Sequence, residues 1–514
     1  MHAGDHTVAS EFVEETTAFA LEEKAKLQKH FNRFDIYFFL ICTIVGLDTL
    51  GQVASNGAQG FTWLLFLGIL FFVPYALLTA ELGSTFTEEG GAYVWTRMAF
   101  GRLTACLNAI FYWFSNPVWI GATLALLTIA AIKSYFWNFS DGGIAYYVVG
   151  LAYIWFSVWS AILSFGVGKW IPTIGAWCRM AVLGFFTITA IIYAIKNGLS
   201  LPSGGDFSPT YAMFIGLVPV LFFNYVGFEL PNAAGDEMED AAKDVPVTVT
   251  RALVTAILMY GLPVLAIVCV LPKDKITGVS GFMDAIAATF TVYGGAADVM
   301  IKIASVGFIL ALVSSACTWL MGSDRSQAVA SFDGAGPRVL GKFSGKFGTP
   351  VNVNFLSGVF STIVFVVASE IGSGNAASVF NVMIGTVLLF TTLSYIVIFP
   401  AFIKLRYSHG HVHRPYRVPG GMAGAWIVGG LTTFWAVLAS LVGLFPGLGD
   451  GRFLNDGDLP DGVSRAEFTT IALVSIGVTL AVGVLFYYLG AETRSNMVSV
   501  PLEGHEAEAA AYAD

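Results

Sequence analysis

Apolar runs of 18 residues or more recur along the chain from residue 35 to residue 489, separated by short polar stretches. A helix of about 20 such residues crosses the hydrocarbon core of a bilayer. The pattern predicts twelve spans, at 35–57, 60–82, 103–131, 143–167, 171–195, 211–231, 251–271, 298–321, 351–369, 376–403, 423–445 and 466–489. The fold class is therefore an all-α polytopic membrane protein. Residues 1–33 form a polar N-terminal tail with a modest helical pattern (Leu21, Leu27, Phe31), and 490–514 a C-terminal tail. Between them, 34–489 make one twelve-helix domain, and an even number of spans places both tails on one side of the membrane.

Two spans break the apolar pattern. The first carries Ile44-Val45-Gly46-Leu47-Asp48-Thr49-Leu50-Gly51. A carboxylate at bilayer depth costs roughly 2.5–3.5 kcal/mol on insertion scales, and a glycine inside a helix costs about 1 kcal/mol relative to alanine. Both penalties within a few residues point to a helix that opens to line a cavity. The sixth span repeats the device in Phe222-Phe223-Asn224-Tyr225-Val226-Gly227-Phe228-Glu229. Interrupted segments at corresponding positions of two halves mark the site of a secondary transporter. Spans 1–5 (about 35–195) and 6–10 (about 211–403) then form two repeats. Five is odd, so the second repeat enters the membrane from the opposite side, and the helices of about 423–489 are additional. The competing reading is glycine used for close helix packing, with Glu229 near the interface.

Composition and charge sharpen this picture. Of 514 residues 56% are hydrophobic and 12% charged, with mean hydropathy +0.72; a soluble domain carries about 25% charged residues. The net charge of −9 comes largely from two acidic tails and an acidic loop, and argues against a nucleic-acid partner. With the N-terminus inside, nineteen of the 26 lysines and arginines fall on cytoplasmic segments or their flanks. Only Lys133, Lys196, Lys273, Lys275, Lys302, Arg452 and Arg465 fall outside. That asymmetry predicts cytoplasmic termini; the expected location is the plasma membrane. The first apolar run lacks a small-residue cleavage site, so no removable signal peptide is expected. Residues 322–350 are expected to form a basic cytoplasmic loop, 446–465 an acidic external one, and 235–246 an acidic cytoplasmic connection. Cys42, Cys106, Cys178, Cys269 and Cys317 sit in apolar runs without metal spacing and read as buried small hydrophobes.

Three motifs carry a resemblance. Pro74-Tyr75-Ala76-Leu77-Leu78-Thr79-Ala80-Glu81-Leu82-Gly83, followed by Thr85-Phe86-Thr87-Glu88-Glu89-Gly90-Gly91-Ala92-Tyr93-Val94, resembles the second-span signature of amino acid–polyamine–organocation transporters. Tyr225-Val226-Gly227-Phe228-Glu229 with Asp236-Glu237 and Asp244-Val245-Pro246 is similar to that family's sixth-span signature. Arg414-Pro415-Tyr416-Arg417-Val418-Pro419-Gly420-Gly421 resembles its motif before span 11. The resemblance implies a LeuT-like five-plus-five inverted repeat with discontinuous helices 1 and 6 and two extra helices. One departure stands out. The family's usual Gly-Ser/Ala-Gly break, whose amides hold a substrate carboxylate, is here Gly46-Leu47-Asp48-Thr49-Leu50-Gly51. This is similar to the variant first spans of glutamate/γ-aminobutyrate-antiporter-like and polyamine-transporter-like members.

Candidate residues follow from the two breaks. Asp48 is placed to pair with a substrate amine or carry a coupling proton, or else to cap the broken helix. Gly46, Thr49 and Gly51 supply backbone or hydroxyl contacts. Phe223, Asn224, Tyr225 and Gly227 make the sixth-span wall, where a ring over an ammonium contributes about 0.5–2 kcal/mol; lipid-facing or packing rings are the alternative. Arg179 lies inside span 5, where a lysine in some sodium-independent relatives resembles a substitute for the sodium ion. An arginine does not readily deprotonate, so it acts there as a fixed cation, or else snorkels to the interface. In span 3, Trp113 and Asn116, with Trp119, either face the cavity or form a kink at Asn116-Pro117. Ser314 and Ser315 either touch substrate or ion, or simply let helices approach. Glu229 is a coupling or gating candidate, and Glu81, Glu88 and Glu89 belong to a cytoplasmic gate or loop helix.

Gly336-Pro337-Arg338-Val339-Leu340-Gly341-Lys342-Phe343 nearly reads as a phosphate loop, but Phe343 replaces the required Ser/Thr. His409-Gly410-His411-Val412-His413 lacks further ligands, and no enzymatic motif, resident metal or cofactor is expected. The sequence thus predicts a secondary active transporter of amino acids or related amines, proton-coupled or exchanging, with sodium left open. A polyamine or other organocation substrate, or a non-transporting nutrient receptor on the same fold, is the alternative.

Overall fold

The computed structural model describes residues 10–163, 169–271, 281–370, 375–446, 459, 463–503, 505–507 and 510. Lys273, Lys275, Arg452, the end of the expected 143–167 span and most of the 446–465 loop lie outside them. Eleven helices among the described residues are long and apolar enough to cross a membrane. The first expected span is not one of them, because it is broken. Asn32 caps the helix Arg33–Ile44 in a reciprocal box with Asp35. The chain leaves the helical path at Val45 and resumes as Leu50–Ser55. The next long helix runs Gly57–Thr85. The sixth span breaks the same way: Tyr211–Tyr225 is helical, Val226 is extended, and Gly227 sits at φ +124°, a conformation that glycine adopts without strain. A 3₁₀ helix, Leu230–Glu237, follows.

Two expected connections are corrected. Residues 322–335 are not loop: the helix Ala297–Ala330 continues through them and closes with a π-turn at Ser331–Ala335. The polar side chains that suggested a loop are buried and partnered. Asp324 accepts from Trp113, Asn354 and Ser357, while Arg325 pairs with Glu89 and Glu237. The helix expected at 251 starts at Ala241, capped by Asp240. The five cysteines are free, but only Cys42, Cys106 and Cys317 are buried, with Cys178 and Cys269 half-exposed.

The broken first span packs at the centre against Trp170–Asn197, Ala241–Val270 and Ala297–Ala330. Outward-facing apolar side chains such as Ile144, Val148 and Ile195 clothe the periphery. At one end, called here the terminal face, β1 (Val13–Thr17) pairs antiparallel with β2 (Met497–Pro501), Val13 opposite Pro501 and Thr17 opposite Met497. Buried ion pairs crowd this face. Arg406 and Arg414 hold Glu81, and Arg97 joins Glu14, Glu88 and Asp333. Burial and then the adjacent charge of Glu14 push the Glu88 carboxyl well above the usual range. Burial also opposes ionisation of Glu14, but Arg97, a hydrogen bond from Glu88 and Lys24 outweigh it and hold Glu14 low. A carboxyl whose pKa is raised by folding contributes stability below its unfolded pKa and loses it as pH rises through the folded one. Glu88→Gln, which keeps a donor toward Glu14, should therefore flatten the fall of Tm as pH rises from the ordinary carboxylate range through the raised Glu88 pKa. An unchanged profile would place the proton elsewhere.

Candidate functional site

The two breaks meet. Between them lies a narrow cavity of about 20 Å³, room for roughly one water, whose walls include Gly46, Asp48 and Thr49 from the first break and Phe223 and Asn224 from the second. Thr43, Trp119, Tyr260, Ser315 and Trp319 complete it. Thr49 Oγ1 donates to Asn224 Oδ1, joining the breaks directly. A buried hydroxyl joins them a second time. The Gly46 amide donates to Tyr260 Oη (2.8 Å), while that hydroxyl lies 2.8 Å from the Ile44 carbonyl and 3.1 Å from that of Asn224. Opening a helix leaves such groups without their ladder partners, and a buried unpaired polar group costs about 1–3 kcal/mol. Tyr260→Phe keeps the ring against Tyr225 and removes this bridge. It should weaken substrate affinity by about 10- to 100-fold, the equivalent of one such group, read by titration of the purified protein. Unchanged affinity would show that the bridge does not shape the cavity.

Asp48 is buried, and its Oδ2 accepts from Trp119 Nε1 at 3.2 Å. Among the described residues no lysine, arginine or histidine forms an ion pair with it. The walls around it are aromatic: Trp119 meets Phe223 and Trp319 edge-on, at 5.8 and 6.2 Å between ring centroids. The arrangement is a carboxylate recessed among aromatic rings, with the Trp119 N–H edge turned to it.

Arg179 lies fully buried behind the first break, so it does not snorkel to an interface. Its Nε donates to the Val45 carbonyl (2.8 Å), one terminal nitrogen to Ser314 Oγ (2.7 Å), and the other to the Ala311 carbonyl (2.7 Å) and Ser315 Oγ. A break carbonyl and two hydroxyls form an oxygen set suited to a hard cation, and the guanidinium fills it.

Toward the terminal face, Glu229 Oε1 accepts from Tyr112 and Tyr395, each at 2.6 Å, and all three side chains are buried. The Gly227 amide donates to Tyr75 Oη at 3.0 Å. Tyr112 also packs on Trp319 (6.4 Å), so this carboxylate–phenol layer lies one residue below the cavity.

Several candidates fall elsewhere. Trp113 faces away from the cavity, its Nε1 donating to Asp324 and Ser357. Asn116 Nδ2 returns to the Tyr112 carbonyl one turn back, beside Pro117, as a kink residue does. Tyr225 stacks on Phe72 and donates to the Leu64 carbonyl. Gly51 is buried in the Leu50–Ser55 helix, Gly227 packs against Thr43 and Trp319, and Ser314 serves Arg179. Thr43, Tyr260 and Trp319 were not singled out by sequence. His409 faces Ser408 and His411 faces Glu11; no group of three metal-ligating side chains occurs among the described residues.

Comparison with known proteins gives the family. The amino acid permease family profile matches residues 31–455. An uncharacterised transporter of Legionella pneumophila is 29% identical over 423 residues, covering 80% of this chain and 89% of its own. A protein described as a probable agmatine/putrescine antiporter of Lactococcus lactis is 27% identical, covering 76% and 83%. A glutamate/γ-aminobutyrate antiporter of the same species is 22% identical, covering 92% and 93%. The chain belongs to the amino acid permease family, within the amino acid–polyamine–organocation superfamily, and is a multi-pass secondary transporter of amino acids or related amines.

Proposed function

We propose that this transporter recognises its substrate by a protonated amine, which Asp48 anchors, and that diamines and guanidino-amines of the putrescine and agmatine kind are the preferred class. One observation carries the reading: the buried Asp48 carboxylate faces an aromatic-walled cavity at the junction of two broken helices, with the Trp119 indole as its side-chain hydrogen-bond donor. The Gly46 amide, which a carboxylate-anchoring break would leave for the ligand, is already committed to Tyr260. The agmatine/putrescine relative fits the same chemistry. Amino acids enter the class through their amino group. Proteoliposomes preloaded with putrescine should exchange it for external labelled putrescine or agmatine, and absence of exchange for every amine tested would reject the reading.

In this account the chain crosses the membrane twelve times, the broken first span added to the eleven membrane-length segments, of which Tyr211–Glu237 is itself broken. Spans 1–5 and 6–10 form the LeuT-like inverted repeat. The terminal face is cytoplasmic, in a plasma membrane. Transport proceeds by alternating access around the two breaks. The Glu229–Tyr112–Tyr395 layer and the Arg325–Glu89–Glu237 tie bar the inner route when the terminal face is shut. Exchange or proton coupling drives flux. Arg179 occupies the place where a sodium ion would bind, so replacing external sodium by choline should leave the exchange rate unchanged. A strict requirement for sodium would contradict that role.

A further inference from the structure

The polar N-terminal tail is not a free tail. Along β1 the side chains alternate, and Glu14 and Thr16 turn toward the body of the protein. Burying a charge is costly unless it is paired and hydrogen-bonded. Here it is: Glu14 pairs with Arg97, which follows the Gly57–Thr85 helix. Thr17 caps the Ala18–Lys24 helix through the Ala20 amide (3.0 Å) and donates to the Phe332 carbonyl (2.6 Å) at the end of the Ala297–Ala330 helix. Glu23 accepts from the Phe343 amide (2.7 Å), and Lys24 lies 3.6 Å from Asp236 in the second break's 3₁₀ helix. Glu11 accepts from the His411 amide (2.9 Å) beyond the Asn375–Ser408 helix.

These attachments fall on the ends of four different spans, and the same segment runs on into the broken first span. The His30 and Phe31 amides donate to the Glu237 carbonyl (3.0 Å each), the Glu239 amide donates to the Phe31 carbonyl (3.1 Å), and Asn32 then caps Arg33–Ile44. Movement of that half-helix therefore pulls directly on the segment. From the other terminus, β2 pairs along the whole of β1, and His505 reaches the Thr85 carbonyl at 3.1 Å. A lone two-stranded ribbon is at best marginally stable, so the ribbon's hold depends on the body it sits on.

We propose that residues 10–31, clamped by β2, are a releasable strap that holds the terminal face shut, and that its detachment is a step of the transport cycle. The proposal rests on the alternating-access reading above and is independent of which amine is carried. It differs from a purely structural staple in requiring that the contacts break during turnover.

Two cysteine pairs test it in the full-length protein: Glu11→Cys with His411→Cys, at the solvent-exposed end, and Glu14→Cys with Arg97→Cys, in the buried centre. Each is closed by a short bifunctional methanethiosulfonate and reopened with dithiothreitol, with the wild type treated alike to control for its own cysteines. Closing either pair should lower putrescine exchange in proteoliposomes about tenfold or more, as expected when a gating step limits turnover, and reduction should restore it. Equal exchange in the closed and reduced forms of either pair that reconstitutes would overturn the strap. Should neither form exchange putrescine, the substrate reading fails only if the wild type fails to exchange it as well. The strap is then judged by labelling Thr49→Cys with an impermeant maleimide from the terminal face: slower labelling in the closed form supports it, and equal labelling overturns it.

Discussion

Arg179→Met should abolish transport and lower the melting temperature markedly. The guanidinium bonds the Val45 carbonyl, the Ala311 carbonyl, Ser314 and Ser315 from a fully buried position. It thereby ties the first break to the Ala297–Ala330 helix. Methionine fills a similar volume but leaves these groups unpaired. Each buried polar group left unpaired costs about 1–3 kcal/mol, and the local cost falls on the segment that shapes the cavity. Arg179→Lys retains the charge with a different donor geometry, so it should recover much of the stability and only part of the exchange rate. Thermal unfolding in detergent, paired with exchange in proteoliposomes, reads both effects. A methionine variant with wild-type stability and flux would show the cluster to be dispensable.

Asp48→Asn should leave the fold intact and remove the substrate. Asparagine presents an oxygen to Trp119 Nε1 as the carboxylate does, so the local hydrogen bond survives and only the charge is lost. Truncating one partner of a buried charge pair costs about 2–5 kcal/mol in binding, which is roughly a 30- to 4,000-fold loss of affinity for an amine. Exchange should fall to background at substrate concentrations that saturate the wild type, with the melting temperature little changed in the absence of substrate. Asp48→Glu keeps the charge but intrudes on an already small cavity, so it should retain affinity for short amines better than for long ones. An asparagine variant that exchanges putrescine as the wild type does would remove Asp48 from the recognition role.

The sequence made the breaks legible because their components are penalised where they occur. Glycine and a carboxylate inside an apolar run leave few structural explanations, and Gly46, Asp48, Thr49, Phe223 and Asn224 do line the cavity. Other lining residues were hidden for the opposite reason. Tyr260 and Trp319 are aromatic residues within apolar helices of a chain rich in aromatics, and nothing local distinguishes a ring that faces a cavity from one that faces lipid. What makes Tyr260 matter is a partner more than 200 positions away, the Gly46 amide. Trp113 and Trp119 show the same limit. Both lie on one helix near Asn116, yet one serves Asp324 and the other Asp48. Residues 322–335 misled in reverse, because their polarity resembles a loop until Glu89, Glu237 and Asn354 are seen closing around them. The N-terminal segment likewise reads as a polar tail, since its pairing partner β2 is the far end of the chain.

Titration calorimetry on the purified transporter, comparing putrescine with butane-1,4-diol, tests the amine anchor most directly. The two ligands share length and shape and differ in carrying ammonium or hydroxyl ends. If Asp48 anchors an amine, putrescine binds saturably and the diol does not bind at matched concentrations. Equal binding of both, or binding of neither alongside tight binding of a carboxylate lacking any amine, would contradict it.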